Sequence, residues 1–461
     1  MISKPVVAAT PEKKALNTDD YVFEDEAVKQ SNKPNDVFLT RYAKAREVNK
    51  VQGPFPYTPK FSYDNLVTNV VIDQLRGTSL RLETQMNDML ENYRFNLGLQ
   101  VAMSDLFSSS YLKGGDVFGE FQYLRKRVDF SARVDRKVIY WQTKANELQG
   151  NANLSENQKY SWQKFEVGAS YPISVRSRVS LKPFVGYTEF IDRGNANGNA
   201  PIDSMKSQTQ FYTGAKMEFV YDNSVVTGLN IIEGTRGKIS ATTYQAIGSS
   251  KRNFGQIYAD VRHYQKIYKE IVFAVRGYAG TFFGNAPKKY MLGGVDNWAF
   301  NNSNYSGTKN PLVNPSNVYN ENLLFSEFAT SLRGFDYATQ YGNSVALANI
   351  EFRVPLVRAL ASGPITSNFF RNLQFTGFYD IGSSWTGKIP FGSAGQGQER
   401  EVKSPPYTID IKEYINPWIY SYGVGFRSMI FGYYIKCDMA WPVVNYQVQD
   451  PRLQVSLGFD F

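Results

Sequence analysis

Of its 461 residues this chain has one cysteine, Cys437, and one histidine, His263. The lone cysteine excludes an internal disulfide framework and suits a chain that crosses an oxidising compartment without misoxidising. The lone histidine leaves no ready way to assemble a Ser-His-Asp relay or a multi-histidine metal site. No run of about 18 apolar residues occurs, which excludes a helical membrane span. The opening Met1-Ile-Ser-Lys-Pro-Val-Val-Ala-Ala-Thr10 has no sustained apolar core, so no secretory signal is visible there. After about residue 57, no Pro-rich or Ser-rich linker divides the chain.

What is present is aromatic. Rings make up 15% of the chain, with 31 Tyr and 32 Phe, although only 42% of residues are hydrophobic. Mean hydropathy is −0.38. A chain that is polar overall and rich in rings fits strands with one face in lipid, one in water, and aromatic girdles at both interfaces. The net charge of +9 would suggest nucleic acid in a soluble protein, but Lys and Arg are scattered over strands and loops, with no basic stripe. Solvated lumen and rim charges near anionic headgroups account for it, and no nucleic-acid partner is expected.

From about residue 58 the hydrophobic period is two. Val128, Phe130, Ala132 and Val134 alternate with Asp129, Ser131, Arg133 and Asp135, as a strand between lipid and water requires. Ile257, Ala259 and Val261 alternate with Asp260 and Arg262, and Leu453, Val455, Leu457, Phe459 and Phe461 alternate with Gln454, Ser456, Gly458 and Asp460. About sixteen segments run this way, from 58–74 to 452–461, among them a weak one at 78–89 and others at 127–141, 160–172 and 344–356. Connections such as 125–127 and 173–176 are short, whereas 142–159, 191–206, 284–343 and 387–416 are long. An even strand count puts both termini on the periplasmic side and the long loops outside. The fold expected is therefore all-β: a closed antiparallel transmembrane barrel of sixteen strands over 58–461, preceded by a linker or disordered segment over 1–57.

Three sets of residues carry a family resemblance. The end, Gln454-Val-Ser-Leu-Gly-Phe-Asp-Phe461, resembles the outer-membrane β-signal, with Gln454, Phe459 and Phe461 in its polar and aromatic positions and Ser456 where glycine is usual. Gly293-Gly294, then Leu332-Arg333-Gly334-Phe335, then Asn349-Ile-Glu-Phe-Arg-Val-Pro-Leu356, then Phe378-Tyr-Asp-Ile-Gly382, resemble in order and spacing the barrel of the BamA-like assembly and secretion superfamily, also called bacterial surface antigens. The turn region Tyr221-Asp-Asn-Ser with Gly234-Thr-Arg-Gly-Lys238 is similar as well, and the matches cover about 205–461. The resemblance implies a long sixth extracellular loop folded into the lumen, with Arg333 paired to Glu351 and Asp380. Parity agrees independently, since both acids fall opposite the lipid-facing Ile350, Phe352, Tyr379 and Ile381.

The family usually carries periplasmic POTRA domains, and residues 1–57 are too short for one. Asn17-Thr-Asp-Asp-Tyr-Val-Phe23 and Pro56-Tyr-Thr-Pro-Lys-Phe-Ser-Tyr-Asp64 resemble the junction in Bacteroidetes proteins that join a TolB-like propeller to such a barrel. A signal, and a soluble domain with it, is expected to precede residue 1.

Other motifs are set aside. Gly382-Ser-Ser-Trp-Thr-Gly-Lys388 satisfies most of a P-loop, but Ile389 stands where a magnesium-binding hydroxyl belongs, and a loop is expected to follow instead of a helix. Asp19-Asp20 and Glu24-Asp25 read as solvated acids of the lead. No enzyme, metal or cofactor is expected. The leading reading is a Gram-negative outer-membrane barrel that inserts or translocates proteins or anchors a periplasmic module. Its expected partners are outer-membrane lipid and lipopolysaccharide, the assembly machinery during biogenesis, and client proteins or that module. The alternatives are a porin-like channel and a surface barrel that binds a partner through its loops.

Overall fold

The computed structural model describes residues 41–43, 57–103, 114–144, 155–195, 207–301, 321–361, 363–390, 398–404, 407–413 and 416–461. Two units separate, Met1–Pro59 and Lys60–Phe461. In the first, only a helical turn at 41–43 and residues 57–59 are described, so the linker expected over 1–57 lies almost wholly outside the described residues.

In the second unit, each long strand pairs antiparallel with the next in the chain. The run is Phe61–Asp73, Gly77–Asp88, Tyr93–Ala102, Asp116–Tyr123, Asp129–Lys144, Ser155–Ser174, Ser177–Asn195, Ser207–Asp222, Ile231–Ala246, Phe254–Tyr268, Ile271–Gly284, Ser344–Val354, Gln374–Trp385, Ile419–Ile430, Tyr433–Val444 and Arg452–Leu457. The sheet counts nineteen segments in all, because Val225–Gly228, Trp298–Ala299 and Gln447–Val448 add short pieces. The result is an all-β, nearly closed antiparallel barrel. Near-closure leaves few free strand edges, which the period-two pattern alone would leave open to aggregation.

Alternation decides which side chains meet lipid. Phe130, Val134, Ile239, Ile257 and Val261 are exposed on the outer face, whereas Tyr160, Tyr212, Ser240 and Glu351 are buried on the inner one. The connections differ between the two ends of the barrel. One end has the turns 89–92, 124–128, 175–176, 269–270 and 431–432, together with 355–373, which holds two short helices, Leu356–Leu360 and Asn368–Arg371. The other end has the long connections, of which 285–343 is the longest.

That long connection returns into the lumen. Its segments Tyr290–Leu292, Glu327–Ala329 and Gln340–Gly342 form a small sheet of their own. Tyr290, Met291, Leu292, Leu323, Leu324 and Leu332 from the loop pack with the inward rings Tyr160, Trp162, Phe184, Tyr212, Phe254 and Phe282 in one apolar cluster. Burying each such side chain contributes about 1.5–3 kcal/mol, so the long-loop half of the lumen is filled by a packed core.

Several expected boundaries shift. The segment at 78–89, expected to be weak, is the continuous strand Gly77–Asp88, paired on both sides. The segments at 127–141 and 160–172 extend to Asp129–Lys144 and Ser155–Ser174 because their ladder runs unbroken out of the barrel. The last strand is shorter than 452–461: it stops at Leu457, and Gly458 takes φ +99°, a left-handed conformation that turns the chain. The alternation read through Phe461 is therefore corrected, since Phe461 points inward and packs with Ile231, Tyr264, Val272 and Ala274.

Candidate functional site

Arg333 sits at the tip of the inward loop. Its backbone is positioned from the Gly293-Gly294 pair, where the Ser331 and Leu332 amides donate to the Gly294 carbonyl at 3.0 and 3.1 Å. Gly294 has φ +79°, and a Cβ there would lie 2.3 Å from the Tyr337 ring, so the turn accepts only glycine without rearrangement. Leu332 and Phe335 on either side of the tip are buried in the apolar core. Gly334, at φ +83°, lets the chain pass close to Ala440 and Pro442.

From this tip Arg333 enters a buried pocket. Its Nε donates to Asp380 Oδ2 at 2.6 Å and its Nη2 to Asp380 Oδ1 at 2.7 Å, a bidentate fork, while Nη1 donates to Glu351 Oε1 at 2.7 Å. The guanidinium also stacks on Phe378, 3.7 Å from the ring centroid. Planarity is what permits two carboxylates and a ring to be served at once, which a lysine ammonium cannot do. Gly382, two residues beyond Asp380, keeps the strand open where Leu292 packs.

The cluster extends further than the sequence motifs indicated. Arg353 donates to Glu351 Oε2 at 2.8 Å, so Glu351 bridges two guanidiniums. Asn349 donates to Asp380 Oδ1 at 2.8 Å and also to the Ser331 carbonyl. Arg353 further reaches the Phe461 carbonyl oxygen at 3.3 Å, and Arg427 binds Asp438 at 2.6 Å and Asp460 at 2.9 Å. One signal for Arg353 was available: it shares the inward parity of Glu351, two residues away. Nothing in the sequence marked Asp460 or Arg427 as joined to it.

The C-terminal residues separate. Phe459 is exposed, Phe461 is turned into the lumen, and Gln454 is buried with its Oε1 accepting the Gly334 N–H at 2.8 Å. His263 is exposed on its strand and hydrogen-bonds Thr235 at 2.7 Å. Residues 382–385 of the P-loop-like stretch belong to the strand Gln374–Trp385, and the described residues 386–390 beyond it form no helix. Among the described residues no group of His, Cys, Asp and Glu is placed to hold a metal ion.

A second anchor lies nearer the long-loop end. Lys288 and Glu321, both from the inward loop, form a buried ion pair, and Tyr212 donates to Glu321 Oε1 at 2.7 Å. Lys288 also lies 4.6 Å from the Phe254 ring centroid. Burial holds its ammonium below the ordinary lysine value, with Glu321 partly offsetting the shift.

The third feature is the seam. Among the described residues no ladder joins the first strand, Phe61–Asp73, to the last, Arg452–Leu457. The inward loop fills the junction instead: Trp298 and Ala299 pair antiparallel with Ser456 and Val455 of the last strand. Asn297 spans the gap, its side-chain oxygen accepting the Ile72 N–H at 3.0 Å and its backbone oxygen accepting the Leu457 N–H at 3.1 Å.

This chain is similar to known proteins over most of its length. The model of the Omp85 superfamily domain matches residues 76–461. Among solved structures, BamA from Haemophilus ducreyi lacking POTRA domains 1–3 superposes with a TM-score of 0.50 at 13% identity, covering 91% of this chain and 78% of that one. CdiB from Acinetobacter baumannii gives 0.46 at 13% identity, covering 86% and 59%, and CdiB from Escherichia coli gives 0.46 at 10%, covering 88% and 63%. This chain thus spans less than two thirds of either CdiB chain. At these identities the structural likeness concerns the fold. No curated protein matches the chain.

Proposed function

The chain belongs to the Omp85 superfamily and is an outer-membrane β-barrel of that type, and from this premise we propose that it inserts proteins into the outer membrane or passes them across it. The long-loop end then faces outward and both barrel termini face the periplasm. The seam is the observation that carries the reading. Among the described residues the junction is held by Asn297, a Gln74–Asp296 hydrogen bond at 3.4 Å and a two-residue bridge, so it can part at the loss of a few hydrogen bonds, each contributing about 0.5–1.5 kcal/mol net. A full ladder such as the one between Ser155–Ser174 and its neighbours could not.

The packed core of the long-loop half supports the same reading, since among the described residues aromatic rings and loop segments occupy the lumen there. Arg333, Glu351 and Asp380 then serve as the clasp that holds the loop in register while the seam opens. The motif residues Gly293, Gly294, Leu332, Gly334, Phe335, Phe378 and Gly382 shape its pocket. Gln454, Phe459 and Phe461 are proposed as the signal read when the barrel is itself assembled. Residues 1–57 are proposed as a linker to a periplasmic module.

The test is to lock the seam. In a Cys437→Ser background, Ile72→Cys with Leu457→Cys, on the two strands that Asn297 joins, is bridged by a short thiol cross-linker that itself contains a disulfide. Cross-linked protein in proteoliposomes should keep its barrel yet fail to insert or translocate a client, and reduction should restore activity. Full activity of the cross-linked form would overturn the proposal.

A further inference from the structure

The short-turn half of the lumen carries an arrangement that strand pairing normally avoids. Arg236, Arg262 and Arg276 lie on three adjacent strands in direct register, Arg236 opposite Arg262 and Arg262 opposite Arg276. Like charges placed directly across a ladder destabilise it. Next to them, Lys182 stands directly opposite Lys216, and Lys238 lies two residues beyond Arg236 on the same face. Six cations thus share one wall of the lumen.

The acids of this wall do not balance it. Glu218 takes Lys182, Lys216 and Lys238 at 3.2, 3.0 and 2.8 Å, and Asp260 takes Arg262 and Arg276 at 2.8 and 3.1 Å. Asp222, in register with Arg236, instead binds Ser224 at the turn, with its Oδ1 accepting the Ser224 N–H at 2.9 Å. Among the described residues Arg236 has no ion pair, and its cation–π contact with Tyr264 is at 5.6 Å. The exposures are also unequal: the Glu218 side chain is 9% exposed, whereas those of Lys182, Lys216 and Lys238 are 27%, 30% and 39% exposed. Glu218 is withdrawn behind its three lysines and Arg262 faces the space, whereas Arg276 and Asp260 are covered alike, at 11% and 14%. Arg262 and Arg276 also line a cavity of about 440 Å³, but Asp73, Asp296, Glu351, Asp438 and Asp460 line it too, so the excess of cations belongs to the wall and not to that cavity.

We infer that this cationic wall is a docking surface for an extended acidic peptide segment, which makes acidic stretches of a client its preferred cargo. The inference rests on the protein-handling function proposed above and names the substrate class of that lumen. Adjacent strands set the three guanidiniums about 4.7–4.9 Å apart at the backbone, and an extended peptide presents alternate side chains every 6.4–6.8 Å or roughly so, a mismatch that long arginine side chains absorb. Guanidinium-carboxylate pairs are the strongest polar contacts such a peptide can make. A lipid headgroup does not reach the site, because Ile239, Ile257 and Val261, of the opposite parity on the same strands, form the lipid face.

The experiment measures fluorescence anisotropy of a short synthetic peptide with Glu at alternate positions, against the same peptide with Gln, on the full chain in detergent and in proteoliposomes. Only the Glu peptide should bind, and added salt should weaken it. Arg236→Gln, which breaks no ion pair, should weaken binding about tenfold while leaving the heat-modifiable band intact. Arg452→Gln, on the last strand away from this wall, should not. Equal binding of the two peptides, or an Arg236→Gln protein that binds like wild type, would overturn the inference. Client insertion is measured on the same samples. Selective Glu-peptide binding without insertion supports the surface and sinks the insertase reading, and insertion without Glu-peptide binding does the reverse.

Discussion

Gln454 of the last strand holds the tip of the inward loop through both ends of its amide: its Oε1 accepts the Gly334 N–H at 2.8 Å and its Nε2 donates to the Phe335 carbonyl at 3.4 Å. The strand at the seam and the loop motif are therefore one mechanical unit. Gln454→Leu, close in volume but unable to bond, leaves a buried N–H unpaired and should cost about 1–3 kcal/mol. The expected readout is faster proteolysis of the loop with an unchanged barrel band on unheated gels.

Arg333→Ala leaves Glu351 and Asp380 buried and undercompensated, a loss of about 3–5 kcal/mol in loop docking. Asp380→Ala should loosen the loop similarly, and the double variant should be no worse than either single one, because residues that share a partner do not add. Arg333→Lys should rescue only in part. Protease accessibility of the loop on intact cells measures all four, and strict additivity would count against the clasp.

Gly294→Ala meets two penalties at once, a left-handed backbone and a ring 2.3 Å from the new Cβ. Together they should destabilise the loop by roughly 1–3 kcal/mol, visible as a lower temperature for loss of the unheated band. Gly377→Ala, where a Cβ meets nothing within 4 Å, is the matched control.

Deleting Phe461 should do more than remove a terminal contact. The Arg353 guanidinium stacks 5.1 Å from its ring centroid and reaches its carbonyl oxygen, so the deletion should disturb the Glu351 pair as well. Reduced outer-membrane levels and a protease-sensitive loop are expected together. Normal levels would remove the assembly-signal proposal, and a protected loop would remove the link to the clasp.

Lys288→Met retains bulk but leaves Glu321 to the Arg252 guanidinium at 3.8 Å and the Tyr212 hydroxyl, an expected loss of about 1–3 kcal/mol. Lys288→Met with Glu321→Gln should recover most of it. Thermal loss of the unheated band reports both.

Strand facing was legible in the sequence because a strand has a fixed period of two, so Ile350, Glu351, Phe352 and Arg353 sort between lipid and lumen without knowledge of any neighbour. The pairing of Arg333 with Glu351 and Asp380 was legible only through the family resemblance that the ordered motifs from Gly293 to Gly382 carry. Only the tertiary structure decided that Phe461 turns inward, that Asn297 spans Ile72 and Leu457, and that Arg236, Arg262 and Arg276 stand in one row. These depend on ladder register, on the path of a long loop, and on contacts between residues as far as 230 positions apart. A local periodicity carries no information about such distances, since it fixes the face of each residue and leaves open which residue of another strand lies beside it.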